Sequence, residues 1–304
     1  MFSKRQSFLT FAALALLPAQ SFASTLYGIT LDDNLLKITI TPSSVSAALI
    51  GTLATAPTGG SSPLGIGQLG GNLYVYDQNQ QALLQVSSAN ASTIATTNLG
   101  ITNTAEGDLA FAPNGTGYLV STVDSAGDFG GTTGALYSFS TAPGSAHLIT
   151  DNLAGLFDGL AFNASGNGFA LEQGGANLDA ITTSGAVTAI GGTGITTNCG
   201  GFPCYSLGGL AFDGTTLYAA LTNFSNSTSD FYTIDPATGA AAFIGNIPFD
   251  QISGITAAPS SSSPVPEPSS CILTAGGVAA FVLRRWITYY ALRARGSKSS
   301  GVSG

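Results

Sequence analysis

The chain has 304 residues, with 8 Lys or Arg, 16 Asp or Glu and a single His, for a formal charge of −8. Residues 24–264 keep only Lys37 among the Lys and Arg against fifteen carboxylates, a formal charge of −14. Phosphate backbones are held by Lys and Arg, so nucleic-acid binding is excluded; an acidic surface suits cations or neutral polar ligands and keeps an exported domain in solution.

The chain opens on "MFSKRQSFLTFAALALLPAQSFA". Lys4 and Arg5 precede an apolar run from Phe8 to Leu17, and Ser21-Phe22-Ala23 offers a small-x-small cleavage site. Residues 1–23 read as a secretory signal peptide, with a mature chain starting at Ser24.

The next 236 residues repeat. "GDLAF" at Gly107, "DGLAF" at Asp158 and "GGLAF" at Gly208 place Leu109, Leu160 and Leu210 51 and 50 residues apart. Weaker copies are "LGIGQ" around Ile66 and "SGITA" around Ile255. Each internal copy leads into a second apolar run ("NLYVYD", "TGYLVST", "NGFALEQ", "TLYAALT") and a third ("ALLQVSS", "ALYSFST", "NLDAITT", "DFYTIDP"). Fourth runs such as "GAVTAIGG" follow, and turn residues such as Asp235-Pro236 punctuate the series. Four short strands in a unit of roughly 45 residues predict a β-propeller blade.

The ends set the blade number. "TLYGIT" and "NLLKITI" are second- and third-type strands with no first strand before them, whereas "SGITAAP" is a first strand with nothing after it. Together they make one blade that closes the ring. The expected fold is all-β: a five-bladed β-propeller over residues 24–259, closed between its N- and C-terminal strands, plus a C-terminal sorting helix.

Loops that enter the innermost strands and loops that join second to third strands share one face of a propeller. Glu106, Asp108, Asp158 and Asp250 are therefore expected around the channel mouth as a candidate face for a ligand or a cation. Asp32, Asp33, Asp77, Asp124, Asp128, Glu172 and Asp230 are expected around them, with Asp213 and Asp235 on the other face. Asp124 and Asp128, in "DSAGDFGG", are candidate ligands for Ca²⁺, which wants hard oxygen donors, although the loop lacks the EF-hand pattern. Cys199 and Cys204, in "NCGGFPC", are close enough in sequence for a disulfide staple in an exported protein. No catalytic residue is assigned. His147, in "SAHLIT", is expected on an outer strand far from the mouth, which removes the base a Ser-His-Asp triad needs.

Residues 260–264 form a Ser/Pro linker. Then comes "VPEPSSCILTAGGVAAFVLRRW", residues 265–286. Its apolar part, Cys271 to Leu283, would rise about 20 Å as a helix, short of a bilayer's hydrocarbon core of about 30 Å. The basic residues from Arg284 to Lys298 keep the 287–304 tail cytoplasmic.

Val265-Pro266-Glu267-Pro268, the apolar stretch and the pair Arg284-Arg285 resemble, in order and spacing, the PEP-CTERM sorting signal of Gram-negative bacteria. The tail after Trp286 is longer than is usual in that family. The resemblance implies recognition by the membrane protease exosortase and processing near the Pro-Glu-Pro. It further implies membrane contact only through the sorting helix before processing, and delivery to the cell envelope, cell surface or extracellular matrix. The expected function is binding or scaffolding, with exopolysaccharide the ligand that PEP-CTERM proteins are suspected to accompany. The rival is a carboxylate-based glycan hydrolase or lyase using Glu106, Asp108 and Asp158.

Overall fold

The short runs of the repeat carry apolar side chains at both odd and even positions, as in "NLYVYD", so each strand must be covered on two faces. The computed structural model shows how. It describes residues 23–53, 62–127, 133–195, 198–199, 202–203, 205–249 and 251–259, with residues 198–199, 202–203 and 205–206 described by backbone alone. The signal peptide, the linker, the sorting signal with Val265, Pro266, Glu267, Pro268, Arg284 and Arg285, and the basic tail lie outside the described residues, except for Ala23. So do Asp128, Cys204 and Asp250.

Five four-stranded antiparallel sheets form a five-bladed propeller. Blade 1 runs outward through Pro63–Leu69, Asn72–Asp77, Ala82–Val86 and Thr93–Asn98. Blade 2 contains Gly107–Phe111, Gly117–Ser121, Thr133–Phe139 and His147–Ala154. Blade 3 contains Phe157–Phe162, Gly168–Glu172, Asn177–Ile181 and Val187–Gly192. Blade 4 contains Tyr205–Asp213, Thr216–Asn223, Thr228–Ile234 and Ala241–Ile247. The closing blade takes its inner strand, Ile252–Ala257, from the C-terminal side and Ser24–Thr30, Asn34–Thr41 and Ser44–Thr52 from the N-terminal side. Gly28 pairs with Ile255, and Leu31 and Ala258 donate their N–H groups across the seam to Gln251 and Thr25.

The core is divided among the blade interfaces. Leu26, Leu36 and Ile38 of the closing blade pack on Tyr218, Ala220 and Phe231 of blade 4. Ile29 and Leu35, on the other face, pack on Ile66, Leu73 and Val75 of blade 1. Equivalent clusters join blades 1 and 2, 2 and 3, and 3 and 4. No blade covers its own faces, so the ring is the folding unit.

Two bulge systems shape the blades. Each outer strand bulges at an isoleucine, Ile50, Ile94, Ile149, Ile190 or Ile244, and the outer strand of blade 2 has a second shift between the partners of Gly134 and Leu136. A bulge twists an edge strand away from flat pairing, which protects edges that carry almost no charge. The inner strands of blades 1, 3, 4 and the closing blade are bulged at Leu64, Asp158, Leu207 and Ser253. Blade 2 pairs without a shift there.

The disulfide expectation is corrected. Among the described residues no cysteine pair lies at bonding distance. The backbone from Asn198 to Pro203 forms a small hairpin in which Cys199 faces Phe202, so its cross-strand partner is not a cysteine.

Candidate functional site

The inner strands approach one another closely because the residue before each inner Leu or Ile is almost always glycine. Gly65, Gly159, Gly209 and Gly254 occupy this level in four blades. A Cβ on Gly254 would lie 2.7 Å from Gly65 Cα, and one on Gly209 would lie 2.4 Å from the Ile255 nitrogen. In blade 2 the same position is Asp108.

Asp108 uses the room the four glycines leave. It is fully buried. Its Oδ1 accepts the N–H of Leu109 at 2.8 Å, while Oδ2 accepts the N–H groups of Leu160 at 3.0 Å and Leu210 at 3.2 Å. One carboxylate thus ties blades 2, 3 and 4 together at the axis. Inner-strand N–H groups facing the channel have no partner strand, so a buried acceptor there replaces the water they would otherwise need. Burial pushes the Asp108 pKa well above the usual carboxylate range, the three N–H groups pull it down, and nearby Asp158 raises it further.

Asp158 lies next to this plug. The bulge that leaves it unpaired turns its carboxyl group inward. Asp158 is also fully buried. Its carboxyl accepts backbone N–H groups from Gly174, at 3.2 Å to Oδ2, and from Leu207. Oδ1 is buried with no hydrogen-bond partner. Burial first, and the charge of Glu106 second, push the Asp158 pKa up to about 7.

Glu106 is half-buried with its backbone at φ 40°, in the left-handed region that non-glycine residues seldom occupy. Its Oε2 accepts the Nε2–H of Gln173. Burial raises its pKa, and the Gln173 bond acts against that rise. Gln173–Gly175 is a tight 3₁₀ turn joining the second and third strands of blade 3. Sequence reasoning missed Gln173, Gly174 and Leu207, whose contacts depend on backbone N–H direction. Asp108 was found as an acid, but its role was not. Aligning the five copies one residue before the Leu or Ile exposes it as the one side chain in a ring of glycines.

The structure brings Glu106, Asp158 and Asp108 together in that order, from the half-buried rim to the axis. Among the described residues it does not bring the other acids to them. Asp77 caps its own turn through the N–H groups of Asn79 and Gln80, Asp124 accepts the Ala126 N–H, and Asp230 accepts from Asn223 and Thr228. Asp235 caps its own turn through Ala237 and Thr238. Among the described residues no three His, Cys, Asp or Glu side chains are grouped to hold a metal ion. His147 stands exposed at the start of an outer strand.

Along the inner strands beyond Asp108, the channel holds a cavity of about 150 Å³. It is lined by Ile66–Gln68, Leu109–Phe111 and the matching residues of the other three inner strands, none of them charged.

No protein-family model matches the chain, and no curated protein sequence does. Several solved structures resemble it. A chain of a nidogen/laminin complex aligns at 16% identity with a TM-score of 0.44, covering 78% of this chain and 85% of that one. A PQQ-bound aldose sugar dehydrogenase from Streptomyces coelicolor aligns at 16% identity and TM-score 0.41, covering 67% and 73%. A structure of YCF48 bound to D1 peptide aligns at 12% identity and TM-score 0.38, covering 75% and 68%. Likeness at this level carries nothing about ligand or chemistry; the five-bladed propeller rests on the closed ring of sheets described above.

Proposed function

We propose that the protein is an exported propeller that exosortase sorts to the cell surface or extracellular matrix of a Gram-negative bacterium, where it binds or scaffolds, with exopolysaccharide the first ligand to test. The observation favouring binding over glycan hydrolysis is the burial of Asp108 and Asp158. A carboxylate hydrolase needs two carboxyl groups that flank a sugar, one to protonate and one to attack or activate water. Of the three candidates only Glu106 reaches the surface, and Asp108 has both oxygens engaged by backbone N–H groups. Support for export and sorting comes from the terminal sequences alone.

A glycan array run beside a reducing-sugar release assay tests the functional half. Retention of a polysaccharide without product release is expected; release that disappears in Glu106→Gln would establish the hydrolase instead. Intact mass of the protein from an exosortase-positive host tests the sorting half, with loss of the segment from Cys271 onward expected. Full-length chain still carrying Arg293 and Lys298 would refute it.

A further inference from the structure

The carboxyl pair at the mouth has a physical problem that the fold leaves open. Asp158 is buried with one oxygen lacking any donor, and the charged neighbour that acts on it, Glu106, has the same sign. Among the described residues nothing basic offsets them. Across residues 23–259 the basic side chains are Lys37 and His147, both exposed on other parts of the ring. Of the elements packed against Asp158, the inner strand of blade 2 contributes a further acid, Asp108. The inner strand of blade 4 contributes the Leu207 N–H, and the Gln173–Gly175 turn has no titratable side chain. A buried carboxylate without a counter-charge costs several kcal/mol and is ordinarily relieved by taking up a proton.

The same two acids hold that turn. Gln173 donates its side-chain amide to Glu106, Gly174 donates its N–H to Asp158, and the Thr193 hydroxyl donates to the Gly175 carbonyl. Gly174 and Gly175 are buried, with Gly175 lying against Leu221.

We propose that Glu106 and Asp158 form a proton-operated latch: with one proton on the pair the Gln173–Gly175 turn stays seated against the inner strands of blades 3 and 4, and with that proton lost to solvent the turn lifts and water reaches Asp158. The proton resides on Asp158 Oδ1, which has no hydrogen-bond partner, since Oδ2 accepts the Gly174 N–H. Its departure leaves two adjacent carboxylates, and hydration replaces it as the offset to their repulsion. Because Glu106 lies at the rim, the latch changes the mouth's shape and charge together. The inference concerns the unliganded protein and stands apart from what binds there.

Side-chain carboxyl and backbone amide NMR of the purified full chain between pH 5 and 9 tests it. The Asp158 carboxyl carbon should titrate between pH 6 and 8, with the Gly174 and Gly175 amides shifting at the same midpoint. Their hydrogen-exchange protection should fall about tenfold per pH unit as the midpoint is approached from below, beyond ordinary base catalysis, and level off above it, as one proton lost per opening requires. Glu106→Gln should lower the midpoint, and Asp158→Asn should abolish the turn's response. An Asp158 that does not titrate in this range, a turn that ignores its titration, or a response that persists in Asp158→Asn would each overturn the latch.

Discussion

Replacing Asp108 with alanine removes an acceptor shared by three blades and leaves the N–H groups of Leu109, Leu160 and Leu210 facing the axis without it. A hydrogen bond to a charged group contributes about 1.5–3 kcal/mol, so three amount to roughly 5–9 kcal/mol. Burying a carboxylate with no cation beside it costs several kcal/mol, which the substitution recovers. The net loss should be about 3–5 kcal/mol, a large part of the roughly 5–15 kcal/mol that holds a domain folded. At this chain length that lowers Tm by about 10 °C. Asp108→Asn should lose less, about 2 kcal/mol, because one oxygen still accepts while the new NH₂ meets a donor. Urea unfolding followed by circular dichroism, with calorimetry to check cooperativity, gives both values. An Asp108→Ala domain within about 1 kcal/mol of the parent would show that the three bonds do not outweigh the buried charge, refuting the structural role assigned to this residue.

Asp158 should set the pH dependence. Its folded pKa, about 7, lies above an unfolded value near 4, so the folded state holds the extra proton. Its stabilisation is therefore complete below about pH 4, declines by at most about 1.4 kcal/mol per pH unit toward pH 7, and levels off above that. Urea titrations from pH 4.5 to 8.5 should show this decline in the parent and a flatter profile in Asp158→Asn; parallel profiles would mean that Asp158 is charged throughout. Deleting Ile252–Ala257 takes the inner strand from the closing blade, together with the fully buried Ile252 and Ile255. Cooperative unfolding should disappear, and a truncated chain that melts within a few degrees of the parent would contradict the closure. Gly209→Ala puts a methyl group against the Ile255 backbone, which has no flexible end to move aside. A loss of at least about 1–3 kcal/mol in urea is expected, and a neutral result would mean that the ring of inner strands can widen.

The strand sequence, the unit length and the split blade could be read from one chain because they are local or periodic properties. Leu109, Leu160 and Leu210 recur at nearly constant spacing, and alternating apolar positions mark strands whatever they pack against. The incomplete units at the two ends implied closure by counting alone. What each acid does was not legible. Asp77, Asp124 and Asp230 look like Glu106 in sequence, but their carboxylates serve turns a few residues away. Asp108 depends on Leu210, 102 residues along the chain, and on four glycines from other blades that bring the inner strands within its reach. Asp158 depends on a one-residue bulge that re-aims its carboxyl group under a turn of its own blade. The hairpin register at Cys199 likewise overrode a spacing that suggested a disulfide. A hydrogen bond is decided by direction within a few ångströms, and neither periodicity nor composition carries direction. Tertiary structure therefore decided that two of the three central acids are buried from solvent, one as an axial tie and one as a carboxyl group without a counter-charge.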